Sequence, residues 1–388
     1  MKLKKILAAV SAAAVVCSLA ACSGNNTSSV SQPSTNSSGT AGSVESAGTD
    51  SSDTESSAAE NSAADAASTD ASEADTASTD TNGKTFKIGI AKLMDHPALN
   101  KSEDGFVAAL KDKGYVDGEN IEIDYQNGQG ETSNLNTIAT QFVGNSVDLI
   151  FAIATPAAQS CAGQTSEIPI IGTAITDFAE AGLVNDNANP GTNVSGTTDM
   201  NPFKEQIDLM LELFPETKTV GFVYTASEDN SVLQVTKVKE YLDEKGIGYT
   251  EKTIINTNDI QQAMQSIVGE CDAIYIPTDN NMASAMPLVA SIANPAQKPV
   301  ICGEIGMVEG GGFGTLSIDY YNLGYQAGEM AVQVLEGADI STMAIQSQTE
   351  FQYGFNKDAI DALGFELPEK YQDYIVETAA ESENSDAA

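Results

Sequence analysis

The sequence predicts an α/β protein of two doubly wound, parallel-sheet lobes, joined by a hinge through which the chain crosses three times. Short β-branched runs alternate with stretches of helical spacing from residue 85 onward. The same alternation of strands and helices begins again after residue 198, with a different amino-acid sequence. Because such alternation is typical of parallel sheets covered by helices on both faces, each half is expected to form one lobe.

The first half opens on a β-branched run. Residues 85–92, TFKIGIAK, predict a strand, and Phe106, Val107 and Leu110 lie on one side of a helix predicted over 102–113. Further strands are predicted at 121–125, 148–154, 169–175 and 194–197, and further helices at 134–142 and 156–164.

The second half repeats this order. Its helices are predicted at 203–213, 231–244, 258–269 and 282–293, and its strands at 219–224, 249–255, 273–277 and 299–302. The glycine run at 310–314 precedes a strand at 315–318 and lacks the lysine of a phosphate-binding loop, so we interpret it as a turn. An amphipathic helix at 322–336 and a strand at 350–354 complete the pattern.

The chain is expected to cross between the lobes near Thr198, Asp319 and Ile345. This divides it into an N-terminal lobe of 85–198 plus 319–345 and a C-terminal lobe of 199–318 plus 346–376. Three crossings make a hinge, so a ligand cleft is expected between the lobes.

Residues 1–22 have the features of an export signal. Three lysines precede an apolar run at 6–21 that is too short to cross a bilayer as a permanent anchor. The run ends in Leu19-Ala20-Ala21-Cys22, which resembles the bacterial lipobox, in which the cysteine sulfur receives a diacylglyceryl group. We therefore expect acyl chains on Cys22 to hold the protein on a membrane; the alternative is an ordinary signal peptide that contains a cysteine.

The segments that flank the body are predicted to be disordered. Residues 23–84 are rich in Ser, Thr, Ala, Asp and Glu, and up to Gly83 they contain no Lys, Arg or aromatic residue. Such a chain cannot bury enough apolar surface to offset its conformational entropy, so we interpret it as an acidic tether. Residues 377–388 are predicted to form a disordered tail.

Charge and composition exclude several classes of function. The chain has 18 Lys plus Arg against 55 Asp plus Glu, a net charge of −37, which repels nucleic acid. Its single histidine and the spacing of its cysteines supply no ligand set for zinc, and no nucleophile, NTPase or zincin motif is present. We expect Cys161, Cys271 and Cys302 to be buried thiols, with one disulfide left open, and no cofactor or metal.

Candidate ligand-binding residues follow the predicted strands, since ligands of open parallel sheets bind outside the carboxyl ends of the strands. The first lobe offers Asp95, His96, Pro97, Leu99, Ala154, Thr155, Thr176 and Asp177. The second lobe offers Asp229, Asn230, Ser231, Thr278, Asp279, Asn280 and Glu304, and a crossing offers Asp319 and Tyr320.

This set of side chains suits a zwitterionic amino acid. Hydroxyls and amides beside helix N-termini favour a carboxylate, and the acids favour an ammonium group. Asp177, Asp279 and Asp319 follow apolar strands and are expected to point into the cleft. The alternatives are helix caps for the Thr, Ser and Asn residues, turns or hinges for the acids, and a loop position for His96.

The aromatic residues bear on the class of ligand. Trp is absent, which disfavours an oligosaccharide site. Tyr320 and Phe178 are available as walls of the pocket, whereas Tyr224 and Tyr275 lie within strands and are expected in the core.

Several phrases identify a family when they are taken in order. They are KIGIAKLMDHPALN at 87–100, GFVAALKDKGY at 105–115, FAIATPAAQS at 151–160, GTAITDFAEAGLV at 172–184, GFVYTASEDNS at 221–231, AIYIPTDN at 273–280 and SIDYYNLGYQAGEMA at 317–331. Over about residues 85–370 the chain resembles the ABC transporter substrate-binding family, which has the type I periplasmic-binding fold and includes tryptophan and tyrosine binders of Gram-positive bacteria. Phe178 departs from the family pattern, since many relatives have proline there.

The resemblance implies a solute-binding lipoprotein on the extracytoplasmic face of the cell membrane. It would capture a small ligand, with an aromatic amino acid the first candidate, and pass it to ABC permease and ATPase subunits without catalysis. Three alternatives stay open: a binder of another amino acid or small metabolite, a ligand-sensing lipoprotein coupled to a membrane receptor, and an enzyme on a similar scaffold.

Overall fold

The computed structural model describes residues 84–376. The predicted signal peptide with Cys22, the tether up to Gly83 and the tail at 377–388 lie outside the described residues. Within the described range, no helix combines the length and the apolar character that a membrane span requires.

The first lobe is built on a six-stranded parallel sheet. Its strands are β1 Phe86–Lys92, β2 Ile121–Asn127, β3 Leu149–Ile153, β4 Ile170–Ile175, β5 Val194–Thr198 and β11 Gln346–Ser347, in the order β11-β5-β4-β3-β1-β2. Its helices are α1 Pro97–Asp112, α2 Thr132–Gly144, α3 Thr155–Ala162 and α10 Tyr320–Leu335, with a 3₁₀ turn at Ile340–Thr342. The fully buried strands β3 and β4 lie at the centre, as expected for a parallel sheet covered on both faces.

The second lobe is built on a seven-stranded sheet. Its strands are β6 Thr219–Thr225, β7 Gly248–Ile254, β8 Ala273–Ile276, β9 Val300–Cys302, β10 Gly314–Ser317, β12 Gln352–Asn356 and β13 Ile375–Val376, in the order β13-β12-β10-β9-β8-β6-β7. Its helices are α4 Phe203–Leu213, α5 Asp229–Lys245, α6 Ile260–Ile267, α7 Asn280–Ala283, α8 Met286–Ala293, α9 Ile305–Glu309 and α11 Lys357–Leu363. Two 3₁₀ turns lie at Thr257–Asp259 and Glu369–Tyr374.

The α/β fold of two lobes is confirmed, with one correction to the parallel second sheet. Strand β12 pairs antiparallel to β10, with Gln352 opposite Ser317. The chain re-enters this lobe from β11 at the hinge, where β10 ends, and no crossover helix carries it to the far edge. Strand β12 must therefore run back along β10.

The chain passes between the two sheets at three places, after Thr198, after Ser317 and after Ser347. The last crossing lies beyond the predicted boundary at 345, because β11 contains only two residues. Two residues carry no periodicity from which a strand could be predicted.

Helix α10 returns to the first lobe and packs closely on α1. A Cβ atom at Gly324 would lie 1.9 Å from the backbone oxygen of Ser102, and one at Gly105 would lie 2.0 Å from the backbone oxygen of Tyr321. Only glycine allows this approach of the two backbones. The packing places Tyr320, at the start of α10, at the edge of the sheet where β4 and β5 end.

Three local differences from the predicted elements affect the site. Helix α1 begins at Pro97 rather than at 102, with His96 in extended conformation before it, since proline is favoured in the first helical turn. The helix predicted at 282–293 is divided into α7 and α8, and the short helix α9 was not predicted. As a result, His96, Asn280 and Glu304 each lie immediately before or at the start of a helix.

Candidate functional site

A small cavity lies between the carboxyl ends of the strands of the two sheets. Its volume is only about 10 Å³, the space of roughly one water molecule, so the two lobes lie almost directly against each other here. The residues that line it are His96, Ala98, Leu99, Ala174, Asp199, Asn230, Thr278, Asp279, Asn280, Ala283, Glu304, Met307 and Tyr320. Both lobes contribute, and this set contains several carboxyl groups but no Lys or Arg.

Hydrogen bonds join the two lobes around this cavity. Gln159 Nε2 donates to Asp229 Oδ2 at 2.8 Å, and Gln234 Nε2 donates to Thr176 Oγ1 at 2.8 Å. Lys101 forms an ion pair with Glu309 at 2.7 Å, which is partly exposed and of small energetic weight. The lobes are therefore in contact, and the cleft is closed over the cavity.

Glu304 follows β9 and caps helix α9. Its Oε2 accepts a hydrogen bond from the Gly306 backbone N–H at 2.5 Å, whereas Oε1 is buried and has no partner within the described part of the chain. Burial raises the pKa of Glu304 to about 7. A buried carboxylate with an unpaired oxygen is costly unless a cation or a donor occupies the adjacent space.

His96 reaches across the cleft to the second lobe. Its Nε2 lies 3.1 Å from Asn280 Oδ1, and its Nδ1 is buried without a partner in the described residues. Burial lowers the pKa of His96 to about 4, so the imidazole is neutral at physiological pH.

Glu228 holds the side chain of Asn280 in the orientation in which it contacts His96. Its Oε2 accepts hydrogen bonds from Asn280 Nδ2 at 2.6 Å, from the Asn280 backbone N–H at 3.1 Å and from Asn230 Nδ2 at 3.1 Å. Burial and the neighbouring Asp279 raise the pKa of Glu228. Glu228 thereby fixes the orientation of two amides that line the cavity.

Asp199 and Tyr320 form the wall at the hinge. Tyr320 OH donates to Asp199 Oδ2 at 2.9 Å, and Thr176 Oγ1 donates to Asp199 Oδ1 at 3.2 Å. Both residues are buried, and burial raises the pKa of Asp199 to about 6. The phenol is therefore held with its ring against the cavity and its hydroxyl engaged.

The cavity presents hydrogen-bond acceptors. His96 Nδ1, Asn230 Oδ1 and Glu304 Oε1 are all buried without a partner among the described residues, and all three side chains line the same space. Asn230 is oriented because its Nδ2 donates to Thr278 O at 2.9 Å. Because buried polar atoms are almost always paired, this arrangement fits a ligand that carries several N–H or O–H donors.

Comparison with known proteins decides the family. A model of the family described as "ABC transporter substrate binding protein" matches residues 87–379. The chain belongs to this family. This substrate-binding protein is also similar to a protein of Clostridioides difficile named as tyrosine-binding, with 42% identity over 280 residues, 72% of this chain and 81% of that one.

Two solved structures are similar to this substrate-binding protein. One is a Streptococcus pneumoniae domain in complex with L-Trp, with 36% identity and a TM-score of 0.73, and the other is a ligand-free, open substrate-binding protein with adhesive properties from Clostridium difficile, with 43% identity and a TM-score of 0.60. Each match covers 76% of this chain and 100% of the solved chain. The open structure has the higher sequence identity but the lower structural similarity, which agrees with the contact between the lobes seen here.

The structure brings eight of the predicted site residues to the cavity. They are His96, Leu99, Asn230, Thr278, Asp279, Asn280, Glu304 and Tyr320. Asp279 serves mainly to hold the polypeptide, since it accepts hydrogen bonds from the Thr225 backbone N–H at 2.5 Å, from Ser231 Oγ at 2.8 Å and from the Met282 backbone N–H at 2.9 Å. Ser231 lies behind the cavity, where its hydroxyl bonds Asp279. Thr176 also lies behind it, where its hydroxyl bonds Asp199.

Two predicted acids, Asp177 and Asp319, do not line this cavity: Asp177 lines the neighbouring pocket with Asp229 and Asn230, and Asp319 lines another with Tyr320. Asp177 Oδ1 accepts from the backbone N–H groups of Ala179 and Glu180 at 3.0 and 3.2 Å, so this carboxylate stabilises a turn. Asp319 Oδ1 accepts from the Asn322 backbone N–H at 2.9 Å and caps α10. In both cases the nearest free N–H groups are local, and the carboxylate turns toward them.

The remaining predicted residues lie at the edges of the cleft. Asp95 and Pro97 are exposed, and Asp95 pairs with Lys92 at 2.8 Å. Asp229 is exposed and bonds Gln159 of the other lobe. Thr155 lines a neighbouring pocket with Asn230, and its buried Oγ1 has no partner within the described range; Ala154 before it has a φ of 84°.

Sequence reasoning did not find two polar residues of the site, Asp199 and Glu228. Asp199 follows β5 directly, so the rule that located the other strand ends also applies to it. The apolar members Ala98, Ala174, Ala283 and Met307 give no sequence signal that distinguishes them from core residues. Phe178, predicted as an available wall, is buried in the core of the first lobe, whereas Tyr224 and Tyr275 are core residues as expected.

None of the cysteines between Lys84 and Val376 lines this cavity. Cys161, Cys271 and Cys302 are free and buried thiols. Between Lys84 and Val376, no group of three or more His, Cys, Asp or Glu side chains is placed to hold a metal ion.

Proposed function

We propose that this protein is the solute-binding lipoprotein of an ABC importer and that it captures an aromatic amino acid in the cavity between its lobes. The observation that carries the proposal is the closed cavity: three of its acceptors have no partner within residues 84–376, and no cationic side chain is among its lining residues. The ammonium group of an amino acid supplies three N–H donors and a positive charge. The acceptors and the buried carboxyl of Glu304 suit that group.

The other two parts of the ligand also have suitable surroundings. Ala98 and Leu99 line the cavity in the first turn of α1, a helix of 16 residues, where backbone N–H groups and the helix dipole favour a carboxylate. The ring of Tyr320 and the thioether of Met307 provide an apolar wall, and both groups pack well against an aromatic ring.

The similar proteins support the same class of ligand. The C. difficile relative is named for tyrosine, and the S. pneumoniae domain was solved with L-Trp. Since the closed cavity has a volume of only about 10 Å³, the lobes must separate to admit an amino acid and then close on it. Catalysis forms no part of the proposal: the protein would release its ligand unchanged to permease and ATPase subunits.

Calorimetric titration with L-Tyr, L-Trp and L-Phe tests the ligand. We expect dissociation constants of about 1 μM or tighter, or roughly −8 kcal/mol. Tyramine, which lacks the carboxylate, and 3-(4-hydroxyphenyl)propionate, which lacks the ammonium group, serve as matched controls and should bind at least tenfold more weakly. If none of the three amino acids binds while a sugar or a nucleoside does, the proposed ligand class is wrong.

The membrane anchor is proposed from the leader alone, through acylation of Cys22. Replacing Cys22 with Ala should move the protein from the membrane fraction to the soluble extracytoplasmic fraction, because acyl chains provide the membrane affinity. Mass spectrometry of the mature N-terminus provides the direct measurement. A Cys22→Ala protein that stays in the membrane fraction would contradict the proposal, and Cys17→Ala in the same leader is the control, with no expected change.

A further inference from the structure

The imidazole of His96 is connected to the opposite lobe by a relay of two side chains. His96 belongs to the first lobe, whereas Asn280 and Glu228 belong to the second. His96 Nε2 lies 3.1 Å from Asn280 Oδ1, and Asn280 Nδ2 lies 2.6 Å from Glu228 Oε2. All three side chains are buried, so water does not compete for these contacts.

The relay has only one consistent direction. Glu228 Oε2 accepts three N–H groups, two from Asn280 and one from Asn230, and therefore carries no proton itself. The amide of Asn280 must then turn its nitrogen to Glu228 and its oxygen to His96. An amide oxygen only accepts, so His96 Nε2 must donate.

This direction fixes the tautomer of the ring. A neutral imidazole has one N–H, and burial keeps His96 neutral by lowering its pKa to about 4. With the hydrogen on Nε2, Nδ1 has a free lone pair; it finds no partner in the described portion of the chain, and His96 lines the cavity. A ligand can meet it only with an N–H or an O–H.

We propose that closure of the second lobe fixes the Nε2–H tautomer of His96 and thereby makes Nδ1 an acceptor for a donor group of the bound amino acid. Glu228 and Asn280 act as positioning residues, which select the ligand through His96. In the open protein the ring is separated from Asn280, so both tautomers are populated and the ring titrates near its ordinary pKa of about 6.5. This inference rests on the proposed function, since it takes the cavity as the amino-acid site.

Nitrogen NMR of the ring tests the inference directly, because the chain contains a single histidine. In long-range ¹H–¹⁵N spectra of ¹⁵N-histidine protein saturated with L-Tyr, we expect a protonated Nε2 and an unprotonated Nδ1 from pH 5 to 8. Without L-Tyr, the two nitrogen signals should be averaged between tautomers and should titrate as the pH is lowered.

Two variants test the relay. Glu228→Gln introduces an amide N–H that competes with His96 for the side-chain oxygen of Asn280. Asn280→Leu removes the contact to His96 altogether. Both should lose the single tautomer and bind L-Tyr at least tenfold more weakly, in line with an unpaired buried group. Asn281→Ala, which removes an amide 3.1 Å from Glu228 Oε1 but no contact to His96, should keep the tautomer.

The outcomes separate the two claims. A saturated wild-type protein with Nδ1–H or with an imidazolium ring would overturn the relay, while the measured affinity would leave the proposed function intact. If no aromatic amino acid binds, the proposed function fails, and the relay as an element of amino-acid selection fails with it. The wild-type spectra decide the relay even if a variant does not fold.

Discussion

Replacing Glu304 with Gln is expected to weaken the binding of an aromatic amino acid by about a hundredfold, or roughly 3 kcal/mol. The substitution keeps the size of the side chain and an oxygen that can cap α9. It removes the negative charge. It also places N–H donors beside the ligand's ammonium group, at the position where Oε1 of wild-type Glu304 is an acceptor without a partner in the part of the chain that the structure describes. Breaking a buried, hydrogen-bonded charge pair from one side has costs of this size.

Calorimetric titration of wild-type and Glu304→Gln protein with L-Tyr measures this effect. Asp319→Asn is the matched control, since this carboxylate caps α10 and lies outside the cavity. It should change affinity by less than about threefold, which corresponds to less than 0.7 kcal/mol. Equal losses in the two variants, or an unchanged affinity in Glu304→Gln, would show that Glu304 does not hold the ligand.

The sequence predicts this site where polar residues follow apolar strands. His96, Thr278 and Glu304 stand at the ends of β1, β8 and β9, and parallel strands bring those ends to one edge. Their association across two lobes follows from the fold, because alternation of strands and helices with three crossings leaves the two edges facing one cleft. The order of strands and helices along the chain, read from the hydrophobic periodicity, was sufficient to locate the site at these strand ends.

The direction of an individual side chain could not be predicted in the same way. Asp177 and Asp319 have the same sequence context as Glu304, yet nearby backbone N–H groups hold them in turns and caps. Glu304 is itself a cap through Oε2 and still presents Oε1 to the cavity. The rotamer decides between these cases, and it depends on packing that pairs residues distant in the chain.

Glu228 shows a second limit. In the sequence it precedes Asp229 and Asn230 in a polar stretch, and nothing there distinguishes the buried acid from the exposed one. The fold distinguishes them at the start of α5, because Glu228 and Asn230 are buried there and Asp229 between them is exposed. Glu228 is 4% exposed and organises the amides of Asn230 and Asn280, whereas Asp229 reaches the other lobe at the surface.

Lowering the pH from 8 to 5 is expected to weaken the binding of L-Tyr by about thirtyfold through His96. The closed cleft lowers the pKa of His96 to about 4 through burial, while the exposed ring of the open protein should titrate near 6.5. The closed form therefore binds fewer protons than the open form. Affinity is complete above pH 6.5 and is lost by about tenfold per unit as the pH falls from there toward 4.

Two other titratable groups that line the cavity, Glu304 and Asp199, do not cancel this trend. In the complex, the ammonium group of the ligand favours the ionised forms of Glu304 and Asp199 and lowers their pKa values again. Their protonation therefore adds little between pH 5 and 7. Closure of the lobes at pH 5.5 should release close to one proton per ligand, which calorimetry in buffers of different ionisation enthalpy measures.

His96→Gln provides the decisive comparison, because an amide retains polar atoms at this position but does not titrate. This variant should bind L-Tyr more weakly than wild-type protein at pH 8 and with nearly the same affinity at pH 5 as at pH 8. Should the variant keep the full pH dependence, the proton would belong to another group. A wild-type affinity that rises on acidification would mean that buried carboxyls, rather than the imidazole, control closure of the cleft.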